Sequence, residues 1–295
     1  MLTSVVIPAY RAHATIVRAV RSLLAQTVAD WEGVVVSDDG TDYAATLRAA
    51  GIADARLRFV STGRVGSGCH RARNVGLAAA RGAFVGSLDA DDLIAPNYLA
   101  VLRPLALAGG AVFGNVRVVA DASGIEVQRA FQPGGAPARL GIAALLDLTV
   151  PLLPLVSREH ALPRLDGIEF GEDFVANLRL IDRLGPIRVA PDCVYDYRVI
   201  DGSLCHDDRS ADAFETSYSA LIARLESGDR LELSLRSAAE ARERLLRKRD
   251  FNRAFAAARR DEPSLDFQTF AARYAALPAA AAMPERVSPS SPAPT

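Results

Sequence analysis

Three carboxylates share one short stretch of the chain, SLDADD at residues 87–92. In an extended backbone Asp89 and Asp91 project to the same side, while Ala90 points to the other. Buried carboxylates without a partner are costly to ionise, and a divalent cation, which takes oxygen ligands, removes that cost. At the end of a predicted strand, the DxD spacing is therefore compatible with a metal site. The alternative is a solvated turn in which Asp92 caps the following helix.

A second acidic stretch is SDDGTD at residues 37–42, which contains Asp38 and Asp39. Asp and Gly at such positions are typical of a turn followed by a helix N-cap, and this is one interpretation. The other is a binding site, because these carboxylates together with Asp89 and Asp91 can serve a metal and the polar edges of a nucleotide.

A Gly-rich stretch, GSGCHRARNVG at residues 66–76, lies between the two acidic stretches. Gly66 and Gly68 match the first two glycines of the GxGxxG dinucleotide motif, but Arg71 occupies the third position, which excludes that motif. Arg71 and Arg73 at a helix start can instead meet a phosphate group, or they can form an ordinary solvated first turn.

The segments that carry these side chains alternate between strand and helix patterns. Short apolar runs predict strands at 3–7, 32–37, 57–61 and 83–88, and the segments between them predict helices at 15–28, 42–50 and 70–80. Continuous apolar strands separated by helices form a parallel sheet covered on both faces. Ligands bind at the carboxyl ends of such strands, so function is expected at PAY, DDG and DADD.

The remainder of the chain follows another pattern. A helix is expected from Pro96, then two strands around a turn at 111–131, and a helical region from 210 with a second helix at 232–260. The last residues are rich in Ala, Ser and Pro and are expected to be disordered. We therefore predict an α/β fold with a mainly parallel sheet flanked by helices and a C-terminal helical extension.

The composition limits the classes of function. The 295 residues are 50% hydrophobic and 23% charged with a net charge of −1, which predicts a globular protein without a nucleic-acid partner. Three cysteines without a CxxC favour reduced thiols over a disulfide scaffold. The sequence contains no recognisable signal peptide or membrane span, and we expect a cytoplasmic location.

The chain resembles the family-2 glycosyltransferases of the GT-A fold in three stretches that occur in the family's order: SVVIPAY, RAVRSLLAQTVADWEGVVVSDDGTD and GCHRARNVGLAAARGAFVGSLDADDLIAPNYL. The resemblance continues more weakly through GEDFVANLRL to YDYRVIDGSLCHD. It implies a GT-A glycosyltransferase domain at 1–207, a helical extension at 208–278 and a disordered tail at 279–295.

The resemblance implies a donor site on the strand ends. Tyr10 would stack on the base of the donor, and Pro8 and Ala9 would line the same pocket. Asp39 would hydrogen-bond the edge of the base, and Arg73 would approach the base or the diphosphate.

The resemblance also implies a metal site and a catalytic base. Asp89 would lie beside the ribose and the metal, and Asp91 would bind the metal directly, as Mg²⁺ or Mn²⁺. Many GT-A enzymes complete this site with a late histidine, here His206, although a lone histidine is also common in surface or packing positions. Asp173 would be the base, with Glu172 beside it supporting the acceptor site; on residue types alone the pair predicts a helix start.

The activity implied is transfer of a sugar, with inversion, from a nucleotide-diphosphate donor, expected to be a UDP-sugar, to a hydroxyl of a glycan, lipid-linked or other acceptor. Such enzymes act in polysaccharide or cell-envelope glycan biosynthesis. The alternative is a non-catalytic nucleotide-sugar- or glycan-binding relative, against which the presence of both Asp91 and Asp173 argues.

Arg198 and Ser203 would touch the diphosphate or a mobile loop. RLDGIEF at 164–170 departs from the family's GGFDE-like stretch, so roles on the acceptor side transfer least well.

The resemblance ends near residue 210, before a strongly basic segment. Residues 236–260 contain nine basic residues against Glu240, Glu243 and Asp250. A basic helix can dock on anionic lipid, which would give peripheral contact with the inner face of the membrane, or it can be a solvated helix face.

Overall fold

The computed structural model describes residues 1–134, 138–168, 171–200, 210–263, 265, 270 and 273. Its strands are β1 (Thr3–Ala9), β2 (Trp31–Ser37), β3 (Leu57–Ser61), β4 (Phe84–Ser87), β5 (Leu93–Ile94), β6 (Ala111–Ala120), β7 (Glu126–Arg129), β8 (Arg139–Leu140), β9 (Leu155–Ser157) and β10 (Ile187–Val199). Its helices are α1 (Ile16–Leu24), α2 (Tyr43–Ala49), α3 (Cys69–Ala79), α4 (Tyr98–Gly109), α5 (Ile142–Asp147), α6 (Glu172–Leu184), α7 (Ser210–Glu226) and α8 (Leu235–Asp261), with a short 3₁₀ helix at Arg158–His160.

The first four strands form a parallel half of the sheet in the order β3-β2-β1-β4. The register pairs Ala9 with Ser37 across β1 and β2, and Val6 with Ser87 across β1 and β4. The stretches PAY, DDG and DADD consequently leave the sheet at one edge, as the sequence predicted.

The other half of the sheet is mixed. β9 pairs antiparallel with β4 and β6, β10 runs parallel to β6, and β5 pairs antiparallel with β10. The short strands β7 and β8 pair antiparallel with β6 and β10. β10 passes through Pro191 at an irregularity after Ala190, where the missing N–H of proline costs no ladder bond. The pairing of Ile94 with Tyr195 brings β10 against the acidic loop at 87–92.

Helices cover both faces of the parallel half, as expected for continuous apolar strands. α1 buries Ile16 and Leu23 completely in the main core. On the other face α3 lies directly on β1, since a Cβ atom at Gly76 would come within 2.2 Å of Val6. This close approach requires a glycine, and it sets the height of Arg73, which lies about one turn earlier on α3.

The C-terminal helices pack onto the same core. α8 lies against α5, α6 and α7, and Leu221, Leu231 and Leu245 are buried in the main core cluster. The boundaries of the domains at 207 and 278 stay predictions, and the tail at 279–295 lies outside the described residues. In the part of the chain that the structure describes, no helix is long and apolar enough to span a membrane.

Candidate active site

The expected base pocket begins where β1 ends. The Tyr10 ring is 43% exposed, and the Arg11 guanidinium lies 5.1 Å from its centroid. The ring faces Gly66, where a Cβ atom would lie 3.7 Å from it. Pro8 is partly exposed, whereas the Ala9 side chain is buried in the core and offers no surface to a ligand. An exposed aromatic ring beside a glycine loop can accept a base by stacking.

Asp39 is held by hydrogen bonds to both carboxylate oxygens. Its Oδ2 accepts from the Arg11 backbone N–H at 2.6 Å and the Tyr43 hydroxyl at 2.8 Å. Its Oδ1 accepts from the Thr41 backbone N–H at 2.9 Å and the Ser37 hydroxyl at 3.2 Å. Burial opposes ionisation, but these bonds outweigh it and lower the pKa of Asp39 below its usual range. Contact with a donor base stays a prediction and requires one of these bonds to be exchanged.

The neighbouring Asp38 shapes the Gly-rich loop, a role that the sequence did not indicate. The buried carboxylate accepts from the Thr62 hydroxyl at 2.7 Å, the Ser67 hydroxyl at 2.5 Å and the Gly68 backbone N–H at 3.0 Å. Gly68 has a φ of 96°, which favours glycine, and it leads directly into α3. The only available signal for this residue was its place at the end of β2.

Asp92 does not cap the following helix, so this part of the turn interpretation is wrong. Its side chain is 1% exposed and accepts from the Tyr195 hydroxyl at 2.8 Å and the Arg198 backbone N–H at 2.7 Å. The N-cap residue of α4 is Asn97, without a side-chain cap. The Tyr195 hydroxyl also accepts from the Asp89 backbone N–H at 3.0 Å, so β10 holds the acidic loop at two points.

The Asp91 carboxylate is the group in this loop that fits a cation. Burial, followed by the charge of Asp89, raises the pKa of Asp91 to about 6. Arg18 donates to the Asp91 backbone carbonyl at 3.0 Å and not to the carboxylate. Among the described residues no group of three or more His, Cys, Asp or Glu side chains could hold a metal alone, so a metal there needs water or diphosphate oxygens as well. His206, the other expected ligand, lies outside the described residues.

Arg73 connects the acidic loop to the segment that carries the expected base. Its guanidinium is 7% exposed and donates to Asp89 Oδ1 at 2.6 Å, to the Cys69 sulfur at 2.8 Å and to Glu172 Oε1. Burial opposes the charge of Arg73, but its carboxylate partners, Asp89 foremost, raise its pKa. Arg73 is therefore bound to protein carboxylates, and its contact with a donor stays a prediction.

Glu172 faces the interior rather than an acceptor. Its carboxylate is 5% exposed and forms ion pairs with Arg73 and with Arg164, whose Nε lies 2.8 Å from Oε2. This differs from the expectation that Glu172 supports the acceptor site, because a buried carboxylate between two guanidinium groups has no surface to offer.

Asp173 occupies the first turn of α6, as the sequence predicted for a helix start. Gly171, with a φ of 75°, directly precedes the helix. The Asp173 carboxylate is partly exposed, and no hydrogen bond or ion pair reaches it from the described part of the chain. Its charge acts on Arg73, Arg164 and Lys248, so it lies within electrostatic reach of all three.

Lys248 is the only lysine of the chain and reaches this region from α8. Its ammonium donates to the Leu148 carbonyl at 2.7 Å, and burial lowers its pKa to about 8 against the charges of Asp147 and Asp173. Other basic residues of α8 pair with carboxylates of the protein: Arg242, Arg244, Arg247 and Arg253. Much of the charge on this helix is thus engaged internally, and membrane contact stays a prediction.

Arg198 pairs within the protein next to the acidic loop. Its Nε donates to Asp121 Oδ1 at 2.7 Å, and Arg18 Nη1 donates to the same oxygen at 2.6 Å. Asp121 directly follows β6, where the sequence predicted only a turn. By accepting from Arg18 of α1 and Arg198 of β10, it joins these two elements. Ser203 lies outside the described residues.

Comparison with known proteins matches part of the chain to one family. Residues 4–143 match the sequence profile described as Glycosyl transferase family 2. The chain is 32% identical over 215 residues to the succinoglycan biosynthesis protein ExoO of Rhizobium meliloti (strain 1021), over 68% of this chain and 61% of ExoO. It is 32% identical over 120 residues to the UDP-Glc:alpha-D-GlcNAc-diphosphoundecaprenol beta-1,3-glucosyltransferase WfgD of Escherichia coli, over 40% of this chain and 47% of WfgD. The chain thus matches less than two thirds of the length of either relative.

Solved structures share the fold at low sequence identity. S. aureus TarS 1-349 has a TM-score of 0.64 at 20% identity, over 90% of this chain and 75% of TarS 1-349. The same protein in complex with UDP-GlcNAc has a TM-score of 0.65 at 18% identity, over 93% and 80% of the two chains. This likeness shows the fold alone and confirms the predicted GT-A architecture. The match over residues 4–143 and the curated relatives support a glycosyltransferase of family 2.

Proposed function

We propose that this chain transfers a sugar from a UDP-linked donor to a hydroxyl group of a glycan or lipid-linked acceptor. The observation that carries the proposal is the Asp173 carboxylate, which has no protein partner in the described chain yet lies within electrostatic reach of Arg73. Arg73 in turn bonds Asp89 at the strand edge where a donor is expected. A free carboxylate beside a donor edge is the arrangement that a transferase needs for its base.

Direct displacement explains why the base and the donor side come from separate segments. An acceptor hydroxyl is a poor nucleophile until a carboxylate takes its proton, and Asp173 is available for this role. Departure of a nucleoside diphosphate develops negative charge, which preorganised cationic groups stabilise in the transition state. A single base on α6, across the sugar from the leaving group, gives inversion without a covalent intermediate.

The donor side fits a divalent cation, which we propose to be Mg²⁺ or Mn²⁺. Asp91 would hold the ion with Asp89 in support, because burial and the neighbouring charge make the ionised Asp91 carboxylate costly without a cation. When bound, the ion would neutralise charge on the leaving diphosphate. His206 remains the proposed further ligand.

The donor and acceptor classes rest on the names of relatives. WfgD is named for UDP-Glc and a diphosphoundecaprenol-linked acceptor, and TarS 1-349 has been solved with UDP-GlcNAc. ExoO is named for succinoglycan biosynthesis. We therefore propose a UDP-sugar donor, with Tyr10 stacking on the base, and an acceptor in polysaccharide or cell-envelope glycan synthesis at the cytoplasmic face of the membrane.

A thermal-shift screen of nucleotide sugars with Mn²⁺ tests the donor side, because a ligand that binds the native state raises Tm. We expect UDP-sugars to raise Tm more than GDP-sugars do. Release of UDP from the best donor is then measured with water or candidate glycans as acceptors, with and without EDTA.

The outcomes separate the parts of the proposal. Loss of turnover in EDTA that Mn²⁺ restores supports the metal, and turnover unaffected by EDTA contradicts it. Absence of any nucleotide-sugar binding contradicts the glycosyltransferase function. Tight binding of a UDP-sugar without UDP release favours the non-catalytic relative.

A further inference from the structure

Arg164 connects two helices that carry opposite sides of the candidate site. Its backbone N–H donates to Asn74 Oδ1 at 2.6 Å, and its carbonyl accepts from Asn74 Nδ2 at 2.9 Å, which fixes the residue to α3. Its side chain reaches the first turn of α6, where Nε lies 2.8 Å from Glu172 Oε2. Arg164 thus spans from the helix of Arg73 to the helix of Asp173.

Arg164 adds a positive charge beside the carboxylates that Arg73 bonds. Arg73 bonds both Asp89 and Glu172, so one guanidinium faces two carboxylates. Arg164 supplies the second positive charge, and at 16% exposure it is itself largely buried. A buried carboxylate with too little countercharge is strongly unfavourable, so removal of Arg164 would drive the Glu172 carboxylate to move from its present position, while Arg73 keeps its bond to Asp89.

The surroundings allow such a movement. A cavity of about 50 Å³ lies beside the cluster, lined by Arg73, Asn74 and Arg164 together with apolar and polar side chains. Arg164 Nε and Glu172 Oε2 are close but not aligned as a hydrogen bond, so charge attraction holds this contact. Glu172 directly precedes Asp173 on α6, and a shift of Glu172 would therefore turn the candidate base away from its present direction.

We propose that Arg164 is a positioning residue for the reaction: by neutralising Glu172 and joining α6 to α3, it sets the direction in which Asp173 faces the donor. The inference rests on the proposed function and deepens it on the acceptor side. It also gives a role to the first residue of the RLDGIEF stretch, in which the chain departs from the family pattern.

The test is a double-mutant cycle with Arg164→Met, Glu172→Gln and the combined variant, using UDP binding by calorimetry with Mn²⁺ and hydrolysis of the donor selected by the thermal-shift screen. We expect Arg164→Met to lower kcat about 10- to 100-fold, because small misplacements of a reacting group cost rates of this size. The Kd for UDP should stay within about threefold, since Asp89 keeps its bond to Arg73. The combined variant should lose no more than Glu172→Gln alone, because a neutral amide at this position no longer needs the countercharge.

Two further variants keep the test decisive. Arg164→Lys retains the charge but not the guanidinium geometry, and we expect an intermediate loss of kcat of about threefold. The control Glu232→Gln removes the partner of buried Arg179 at the other end of α6 and should lower Tm without lowering kcat.

Each result decides for or against the inference. If Arg164→Met folds, any one of three results overturns the inference. These are a wild-type kcat, additive effects in the cycle, or a loss of UDP affinity by the same factor as the loss of kcat. If Arg164→Met fails to fold, wild-type kcat in Arg164→Lys overturns it on its own. Absence of UDP binding by the wild-type protein contradicts the proposed function instead, so the two failures are distinguishable.

Discussion

The two sides of the candidate site hold their key carboxylates in opposite ways. On the donor side, Asp39 accepts four hydrogen bonds from Arg11, Ser37, Thr41 and Tyr43, all within the first 43 residues of the chain. On the base side, no partner from the described chain reaches Asp173, and its surroundings come from distant segments. The donor side holds Asp39 in a hydrogen-bonded frame, whereas the base side leaves the carboxylate of Asp173, the proposed base, available.

The pKa shifts on the two sides of the site also differ. At Asp39 the hydrogen bonds outweigh burial, and the pKa falls below its usual range. On the base side burial outweighs the favourable charges, so the pKa of Arg164 falls to about 10 and that of Lys248 to about 8. Desolvated cations around an available carboxylate are typical of a functional site, which supports the proposal that the base lies on α6.

The contrast between the donor side and the base side is tested most strongly by Asp173→Asn. The amide cannot accept a proton, so we expect kcat for transfer to fall about 100- to 10,000-fold. The Kd for UDP, measured by calorimetry, should not change, because the frame on the donor side is intact. Asp166→Asn is the matched control, since Asp166 is an exposed carboxylate in the neighbouring segment. Normal transfer by Asp173→Asn would place the base elsewhere.

A smaller effect is expected from Asp39→Asn, which weakens the frame. Loss of charge-assisted hydrogen bonds should lower the free energy of unfolding by about 2 kcal/mol and weaken UDP binding. Because the folded pKa of Asp39 is depressed, its stabilisation is present above the unfolded value of 3.8 and is lost as the pH falls below it.

Urea unfolding between pH 7 and pH 3 measures this contribution. The wild type should lose more stability on acidification than the variant does. Asp42→Asn is the control, because Asp42 caps α2 and Asn is an equally good N-cap. Equal acid sensitivity of the wild type and Asp39→Asn would mean that the Asp39 carboxylate does not stabilise the donor side.

The smallest effect is expected from Lys248→Met, which tests the cost of burial on the base side. The folded pKa of Lys248 is about 8 against 10.5 for the free side chain, so its contribution to stability is lowest below pH 8 and rises as the pH approaches 10.5. The Tm of the wild type should therefore fall less than that of Lys248→Met when the pH is raised from 7.5 to 9.5. No other lysine complicates the measurement. Identical pH profiles would mean that the ammonium is not desolvated.

Much of the N-terminal architecture could be predicted from the sequence. β1 to β4 and α1 to α3 lie within a few residues of their expected places, because each signal is local: apolar runs, helical periodicity and turn residues. The shared edge for PAY, DDG and DADD followed from the rule for parallel strands, and the register confirms it. The specific roles of Tyr10, Asp39, Asp89, Asp91 and Asp173 came from family resemblance and stay predictions.

Other features could not be predicted, because they depend on contacts across the fold. Asp92 is the same type of residue as Asp91, yet its carboxylate accepts hydrogen bonds from Tyr195 and Arg198. The pairing of β5 with β10 brings these two residues close to it. Long-range pairing of this kind has no signature in either segment alone.

The adjacent residues Glu172 and Asp173 show what the sequence by itself determined and what it left to the tertiary structure. The sequence determined that two carboxylates begin a helix downstream of an acidic strand edge, because helix starts depend on local chemistry. Only the tertiary structure decided that Glu172 is buried between Arg73 and Arg164 while Asp173 stays available. The physical reason is that the energy of a carboxylate depends on its burial and countercharges, and here these come from α3 and from the segment before α6.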